Sequence, residues 1–357
     1  MHDLLRTYAA ELADGTESPP EREGAVHRVL DHYLYTAWTA AVRLHPHRIP
    51  LPLPPAQPGA APETLGTVTE ALAWFSAQHP ILMAAIGVAA ATGFDTHVWQ
   101  LANSMTHFME RSGRWHDWET SQLAALAATR RLGDEGGQAR TCRSLAGACA
   151  RQGRYQEARA HLRSALDLFG RVGDLTHQAT VHTDMAMVFG WEGNEEQALR
   201  HSEHGLEIHR SNGHRAGQAH ALNAVGWHHA RLGHYEQALE YCEQSLARHQ
   251  ELGDPHSAAD TLDSLGFAHH HLGHFDEAAA CYERALDLYR ETGDRYNEAA
   301  SFTRLGDAQQ AAGDNAAARR SWERALTILD DLGHSDAGPL RDKLRHLDQV
   351  PSRGGAD

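Results

Sequence analysis

The chain has 357 residues, of which 32 are lysine or arginine and 47 are aspartate or glutamate, so the formal net charge is -15 with neutral histidines. Its single lysine is Lys343, and no Gly-rich loop ends in Gly-Lys-Ser/Thr, which excludes a P-loop nucleotide site. The acidic balance argues against direct nucleic-acid binding. Because the N-terminus shows no secretion signal and no apolar run approaches roughly twenty residues, we expect a cytoplasmic protein that does not contact a membrane.

The first hundred residues predict helices interrupted by one Pro-rich segment. Residues 1–20 predict an amphipathic helix, because apolar residues recur there at helical spacing: Leu4, Leu5, Tyr8 and Leu12. Residues 21–98 predict a helical cap on the structure that follows. Within this cap we expect a Pro-rich extended surface loop at 46–62, because proline cannot continue a helix. The cap helices are expected at 22–44, 65–78 and 80–92.

Two glycines recur every forty residues over the region 99–338. One series is Gly113, Gly153, Gly193, Gly233, Gly273 and Gly313, and the other is Gly133, Gly173, Gly213, Gly253, Gly293 and Gly333. Glycine is favoured where a helix ends, so two glycines per unit predict two helices per unit. Alanine and leucine also recur at fixed positions of the second helix, as at Ala238 and Leu246. A fixed period of this length is typical of a helical solenoid.

The strings "LGHYEQALEYCEQSLARHQELGD" and "LGHFDEAAACYERALDLYRETGD" resemble tetratricopeptide repeats of the longer, forty-residue kind. The expected fold is therefore all-α: a right-handed helical solenoid of about six tetratricopeptide-type helix pairs with an N-terminal helical cap. Residues 339–357 are expected to form a short capping helix near 339–347 and then a disordered tail.

A second resemblance covers the N-terminal cap and the repeats together. The segments "MHDLLRTYAAELA", "HRVLDHYLYTA" and "EALAWFSAQHPILMAAI", with the Pro-rich loop, resemble STAND-type signal-transduction NTPases, including the Streptomyces antibiotic regulatory protein class. In that family a DNA-binding winged helix and a nucleotide switch precede this stretch, and the repeats sense a partner or restrain the switch. The sequence begins at what would be the winged-helix remnant, so neither nucleotide binding nor DNA binding is assigned to its residues. It would be a stand-alone descendant of the sensor half, a partner of a separate switch protein, or a truncated product.

The tetratricopeptide resemblance implies that the first helix of each pair lines a concave groove. Exposed aromatic residues and arginines are the usual anchors of such surfaces, and we expect an extended peptide or protein segment there, with an acidic portion near Arg140 and Arg143. Alternatively, the aromatic residues pack only against neighbouring helices and the arginines form a solvated rim. Helical spacing gives the candidate partner-binding residues as Arg140, Arg143, Met187, Trp191, Asn223, Trp227, Arg231, Asp263, Phe267 and His271.

The 28 histidines and four cysteines predict neither a metal site nor a disulfide. Consecutive histidines such as 269–271 point in different directions on a helix, and no His-Glu-x-x-His pattern occurs. His229 and His269 are expected to pack in the interface between repeats, where neutral imidazoles would make the fold sensitive to mild acid. Cys142 and Cys149 lie roughly 10 Å apart along one helix, too far to bridge, so free thiols are expected.

The sequence favours a binding protein over an enzyme. It contains no Gly-x-Ser-x-Gly motif, and carboxylates such as Asp260 and Asp263 are interpreted as solvated surface charges. No cofactor is expected. The expected function is that of a non-catalytic protein- or peptide-binding module, the sensor part of a bacterial signalling or transcription-control system. The alternatives are a stand-alone sensor of a small molecule or signalling peptide, and a scaffold that only oligomerises. The partner and the oligomeric state are not assigned.

Overall fold

The computed structural model describes residues 17–334 and 336–349, and all regular secondary structure in these ranges is α-helical. The predicted helix at the N-terminus and the tail from residue 350 onward lie outside the described residues. The fifteen helices are α1 Pro19–Leu44, α2 Val68–Thr92, α3 Asp95–Arg111, α4 Trp115–Leu132, α5 Glu135–Arg151, α6 Tyr155–Val172, α7 Leu175–Trp191, α8 Glu195–Ser211, α9 Arg215–Arg231, α10 Tyr235–Leu252, α11 Pro255–His271, α12 Phe275–Thr292, α13 Arg295–Ala311, α14 Asn315–Leu332 and α15 Ala337–Gln349.

Helices α3 to α14 pack as six consecutive pairs, from α3–α4 to α13–α14. The first helices of neighbouring pairs also contact one another, as α9 does with α7 and α11, so the first helices form the inner layer. The all-α solenoid of six helix pairs is confirmed. The first pair begins at Asp95, four residues before the expected start, and α15 covers the expected capping helix.

The turns between helices are formed by the recurring glycines, which end one helix, and by the next residues, which cap the start of the following helix. Gly253 ends α10 with φ +66°, a left-handed conformation that favours glycine, and the next amide, of Asp254, donates to the His249 carbonyl at 3.0 Å. The Asp254 carboxylate then accepts a hydrogen bond from the Ser257 amide at 3.1 Å and caps the start of α11. Gly233 makes the corresponding turn between α9 and α10 with φ +84°. The forty-residue repeat of glycines in the sequence therefore marks the positions at which helices end.

The N-terminal cap contains one helix where two were expected. Helix α2 runs through Pro80 without a break, which corrects the division into 65–78 and 80–92. A proline inside a helix leaves the carbonyl of the residue four positions earlier without its donor. That residue is Ser76, and both Ser76 and Pro80 are exposed, so water can satisfy the free carbonyl.

Helix α2 also corrects the statement that no apolar run is long enough to span a membrane. By length and composition alone, it is the one described helix that could do so. Its apolar residues Phe75, Leu82 and Ile86 are nevertheless buried, in a core continuous with Met105 and Phe108 of the first pair. Helix α2 is therefore a core helix that covers the first face of the solenoid, as expected of a cap.

The segment between α1 and α2 is irregular, as its prolines predict, but it is more than a surface loop. Leu51 and Leu65 are buried, and the Gln57 amide donates to the Asp31 carboxylate at 2.7 Å. The Gln100 side chain donates to the Pro52 carbonyl at 2.8 Å. The loop therefore packs along α1 and the first pair.

The superhelix curves so that its N-terminal residues contact the fifth helix pair. The buried Arg111 guanidinium donates to the Thr292 carbonyl at 3.1 Å and to the Leu44 carbonyl at 2.8 Å. Nearby, His47 Nε2 lies 2.8 Å from the Leu252 carbonyl oxygen. These contacts join α1, α3, α10 and α12, and they enclose a space inside the superhelix.

Candidate ligand-binding site

The enclosed space is a central cavity of about 450 Å³, lined by the first helices of all six pairs and by residues 45–49 after α1. The part of the first helix that lines the cavity differs from pair to pair. Glu110 and Arg151, near the C-terminal ends of α3 and α5, line it, as do Ser257 and Asn297, near the N-terminal ends of α11 and α13. The superhelical twist therefore corrects the expectation that equivalent positions in every pair face one common groove.

The central cavity is polar and rich in histidine. Among the described residues, its cations are Arg48, Arg111, Arg140, Arg143 and Arg151. Its carboxylates are Glu110, Asp184, Asp260 and Asp294. Its histidines are His45, His47, His107, His177, His209, His214, His220 and His256.

Two of the cavity arginines are already paired with carboxylates. Arg143 Nε lies 2.5 Å from Asp184 Oδ2, and Arg151 Nη2 lies 2.8 Å from Glu110 Oε1. Burial acts to raise the pKa of Glu110, but His107 and Arg151 outweigh it and hold that pKa below its usual range. These pairs join the first helices of neighbouring pairs and leave Arg143 and Arg151 little capacity to neutralise a ligand.

Arg48 and Arg140 differ from those arginines because neither has a carboxylate partner within the described ranges. Arg48 donates to the Asn103 side-chain oxygen at 2.9 Å and stacks on Trp38, but its other terminal nitrogen, Nη1, is buried without a hydrogen-bond acceptor. Burial, together with the positive charges of Arg140 and Arg143, lowers the pKa of Arg48 to about 9. Burial also lowers the pKa of Arg140; the negative charge of Asp174 partly offsets this effect, and the positive charge of Arg143 adds to it. An anion at this position would relieve the repulsion among the three guanidinium groups.

Burial lowers the pKa of six of the cavity histidines, namely His45, His107, His177, His209, His214 and His220. Burial lowers the pKa of His107 to about 4 and that of His209 to about 4. Burial and the neighbouring His107 and His220 also lower the pKa of His45 well below its usual value. At neutral pH these rings therefore offer one donor and one acceptor each, and the arginines carry the positive charge.

The predicted site residues fall into two groups. Arg140, Arg143 and Met187 line the central cavity. Trp191 lies outside it, 38% exposed, with the Arg151 guanidinium 5.0 Å from its ring centre. Asn223 is half-buried and lies 3.7 Å from the Cys242 sulfur, away from the cavity lining.

The other predicted aromatic residues form a separate patch on α9 and α11, the first helices of the fourth and fifth pairs. We call Trp227, Phe267 and His271 the aromatic patch. The Trp227 and Phe267 rings are 5.0 Å apart, and His271 lies 4.2 Å from Phe267. Arg304 lies 5.4 Å from the Trp227 ring centre. Trp227 and Phe267 therefore pack against each other while both stay partly exposed.

Arg231 and Asp263 are engaged within the protein. Arg231 donates to Glu195 at 2.9 Å. Asp263 is 6% exposed, accepts a hydrogen bond from Ser301 at 2.7 Å and forms an ion pair with Arg304. The interpretation of Asp263 as a solvated surface charge is therefore wrong, because the Asp263 side chain is buried and links α11 to α13 through Ser301 and Arg304.

His229 and His269 are both half-buried. His229 stacks at 5.4 Å on Tyr241, which belongs to the second helix of the same pair, so this contact lies within a repeat and not in the expected interface between repeats. All four cysteines are free thiols. Burial raises the pKa of Cys242 to about 12.

Sequence reasoning did not find several cavity residues. Glu110 and Asp184 lie on first helices, so helical spacing could have included them. Arg48 and His45 come from the irregular segment, which carries no periodic signal that could place them inside a cavity formed by distant helices.

Comparison with known proteins identifies the repeats. Family models described as tetratricopeptide repeat match residues 139–164, 177–251 and 257–331. The curated proteins contain no match to the sequence.

Three solved structures have a similar fold. BtubC from P. vanneervenii has a TM-score of 0.50 and 21% identity, over 68% of this chain and 97% of that one. A Rap protein complexed with competence and sporulation factor has a TM-score of 0.54 and 16% identity, over 71% and 75%. NprR in complex with its cognate peptide NprX has a TM-score of 0.56 and 12% identity, over 73% and 75%. At these identities the similarity concerns the fold alone, and the family matches show that the chain contains tetratricopeptide repeats.

Proposed function

We propose that this chain is a non-catalytic, cytoplasmic peptide receptor. In this proposal, an extended peptide enters the superhelix and places a carboxylate, from an acidic side chain or its C-terminus, against Arg48 and Arg140. The observation that carries the proposal is that Arg48 and Arg140 line the cavity without an ion-paired carboxylate among the described residues, and that Arg48 Nη1 is buried there without an acceptor. Among the proteins of similar fold, the Rap protein is complexed with competence and sporulation factor, and NprR is in complex with its cognate peptide NprX.

The distribution of charge in the central cavity gives the ligand an orientation. Arg48 and Arg140 form its basic side. Asp260 and Asp294 supply negative charge to the cavity. Asp260 accepts a hydrogen bond from Tyr289 at 2.7 Å. Burial lowers the pKa of Arg111, and the negative charge of Asp294 partly counteracts that effect. A peptide with a carboxylate at one end and a basic group at the other would match this polarity. Complementary charge of this kind sets specificity and association rate more than total affinity.

The position of Arg48 supports a regulatory role. Arg48 belongs to the segment that joins α1 to α2, and its neighbour His47 contacts α10 through the Leu252 carbonyl. A ligand held by Arg48 and Arg140 would tie the N-terminal cap to the second helix pair. We therefore propose that occupancy stabilises the closed superhelix and is transmitted through the cap to a switch, as the resemblance to STAND-type regulators implies.

The test is a selection of short linear peptides from a displayed random library against the full chain. The affinity of the selected peptides is then measured by fluorescence anisotropy. Arg140→Ala should weaken binding by about 10-fold or more, and Arg140→Glu should weaken it further, since each charge-assisted hydrogen bond contributes about 1.5–3 kcal/mol. The selected peptides should be enriched in acidic residues or require a free C-terminus.

The matched control is Arg163→Ala, because Arg163 is exposed on the second helix of its pair, away from the central cavity. Its affinity should equal that of the wild type. Trp227→Ala locates the rest of the peptide: reduced affinity would extend the site to the aromatic patch. Equal binding by the wild type and Arg140→Glu at low salt would refute the proposed orientation.

A small-molecule sensor is the second candidate, because a cavity of about 450 Å³ is within the range of small-ligand sites. Native mass spectrometry of the chain purified from its host distinguishes the two. A retained adduct that disappears in Arg140→Glu, together with no peptide enrichment, would favour the small molecule.

A further inference from the structure

Two histidines and an aspartate converge where the N-terminal cap meets the first helix pair, and none of them lines the central cavity. His27 and Asp31 are one turn apart on α1, and His97 faces them from the start of α3. His97 Nε2 lies 2.9 Å from Asp31 Oδ1, and His27 Nε2 lies 3.9 Å from Asp31 Oδ2. One nitrogen or oxygen atom from each residue lies within 4.8 Å of the others.

The Asp31 carboxylate is buried without a cationic side chain of its own. Its side chain is 2% exposed, and no lysine or arginine forms an ion pair with it in the described part of the chain. Its neighbours are the two imidazoles and the Gln57 amide, which donates to Oδ2 at 2.7 Å. Buried carboxylates are normally paired with a positive charge or bound to a metal ion. A divalent cation between the imidazoles would supply the missing charge.

We propose that His27, Asp31 and His97 form a binding site for a divalent transition-metal ion of the Zn²⁺ class. Two imidazole nitrogens and a carboxylate oxygen are a ligand set that such ions prefer, whereas Mg²⁺ and Ca²⁺ prefer oxygen ligands only. A small rotation of His27 would bring its nitrogen within bonding distance of an ion held by the other two residues.

The burial of the three residues suits a site with one open position. His97 and Asp31 are buried, while the His27 side chain is 30% exposed and gives access from solvent. Phe94 packs against both imidazoles, at 5.0 Å from His27 and 5.5 Å from His97, and forms an apolar wall beside them. Three protein ligands with a fourth, water-accessible position is a common arrangement for Zn²⁺.

The site would have a structural consequence. Asp31 holds the irregular segment through the Gln57 amide, and His97 belongs to the first helix pair. A bound ion would therefore join α1, α3 and that segment at a single point. The proposal does not depend on what occupies the central cavity.

The test is Zn²⁺ binding by the full chain after chelator treatment, measured by competition with a chromophoric chelator. Competition isolates the tightest site from weaker binding by the many other histidines. We expect one tight site per chain, a melting temperature that rises with Zn²⁺ concentration, and a Co²⁺ visible spectrum of the four- or five-coordinate type. His27→Ala should weaken the tight site by about 10-fold or more, since even indirect partners of a ligand contribute that much.

Two further variants keep the test decisive. Asp31→Asn keeps an oxygen that can accept from the Gln57 amide but removes the charge, so the tight site should be lost. His32→Ala is the matched control, because His32 lies on the same helix and its side chain is 29% exposed, against 30% for His27. Equal Zn²⁺ affinity in the wild type, His27→Ala and Asp31→Asn would overturn the proposal, as would a tight site lost only when His269, His270 and His271 are replaced.

Discussion

The Arg111 guanidinium donates to the carbonyl of Thr292, a residue 181 positions further along the chain, at 3.1 Å. A second nitrogen of the same group donates to the Leu44 carbonyl at 2.8 Å. One buried side chain thus links the first helix pair, the N-terminal cap and the fifth pair. This link keeps the superhelix closed around the central cavity.

Replacing Arg111 by glutamine should therefore open the superhelix as well as destabilise it. We expect a loss of about 2 kcal/mol in the free energy of unfolding, because hydrogen bonds from a charged donor contribute about 1.5–3 kcal/mol. Small-angle scattering should show a larger radius of gyration. The control is Arg131→Gln, which removes an exposed ion pair with Asp95 and should cost less than about 1 kcal/mol. An unchanged scattering curve for Arg111→Gln would contradict the closing role.

Gly306 allows α13 to pack against the largest buried side chain of α14. A Cβ atom at Gly306 would overlap with Trp322 Nε1, and that ring is 1% exposed. Gly306→Ala should thus destabilise the fold by about 1–2 kcal/mol, despite the higher helix propensity of alanine. Gly87→Ala is the control, because nothing lies within 4 Å of its Cβ position in α2. It should be stabilising by up to about 1 kcal/mol. Urea unfolding of both variants measures the free energy of unfolding, which should decrease in Gly306→Ala and increase in Gly87→Ala.

Arg143 and Asp184 form an ion pair between neighbouring first helices, so charge reversal of Arg143 tests stability as well as binding. Arg143→Asp would place two carboxylates together and should cost about 2 kcal/mol. The swapped double variant, Arg143→Asp with Asp184→Arg, should recover at least half of that loss. A double-mutant cycle by urea unfolding measures the coupling. Additive losses would show that the pair contributes nothing beyond its separate members.

Mild acid should destabilise the protein through its buried histidines. Burial lowers the pKa of His209 to about 4 and that of His249 to about 3, against about 6.5 in an unfolded chain. Between these values the unfolded state binds more protons, so stability falls as the pH decreases from about 6.5 towards 4. Each of these histidines contributes a loss of about 1 kcal/mol at pH 5.5. Thermal melts at pH 7.5 and 5.5 measure the change, and equal melting temperatures would contradict it.

His249 occupies a position that is aromatic in other repeats, namely Phe169 and Tyr289. It is 1% exposed, and neither ring nitrogen has a hydrogen-bond partner within the described structure. His249→Phe should therefore stabilise the fold by about 1 kcal/mol at pH 7 and reduce its acid sensitivity. His116→Phe, at an exposed position, is the control and should leave the pH dependence unchanged. A wild-type pH dependence in His249→Phe would assign the acid sensitivity to other groups.

The repeat architecture could be predicted from the sequence because its causes are local. Gly233 and Gly253 define the turns on either side of α10, and the apolar residues between them recur at helical spacing. Six such units are sufficient to predict six helix pairs. Pro80 led to the wrong prediction of two helices where the structure has one, because an exposed helix face tolerates a missing backbone hydrogen bond.

The candidate site was predicted only in part. Arg140, Arg143 and Met187 were found because they lie on the inner face of their own helices. Which of the predicted residues share one cavity depends on the twist accumulated over six pairs. The aromatic patch therefore lies apart from the arginines, although helical spacing gave both groups the same orientation.

The forty-residue spacing alone determined that the chain forms stacked helix pairs with an inner layer of first helices, because helix ends and apolar stripes are set by neighbouring residues. Only the tertiary structure decided that the superhelix closes through Arg111 and that Arg48 reaches the central cavity beside Arg140. It also decided that Asp31 meets His97 across two helices. These contacts join residues distant in sequence, and their geometry follows from small rotations between successive pairs, which local spacing does not encode.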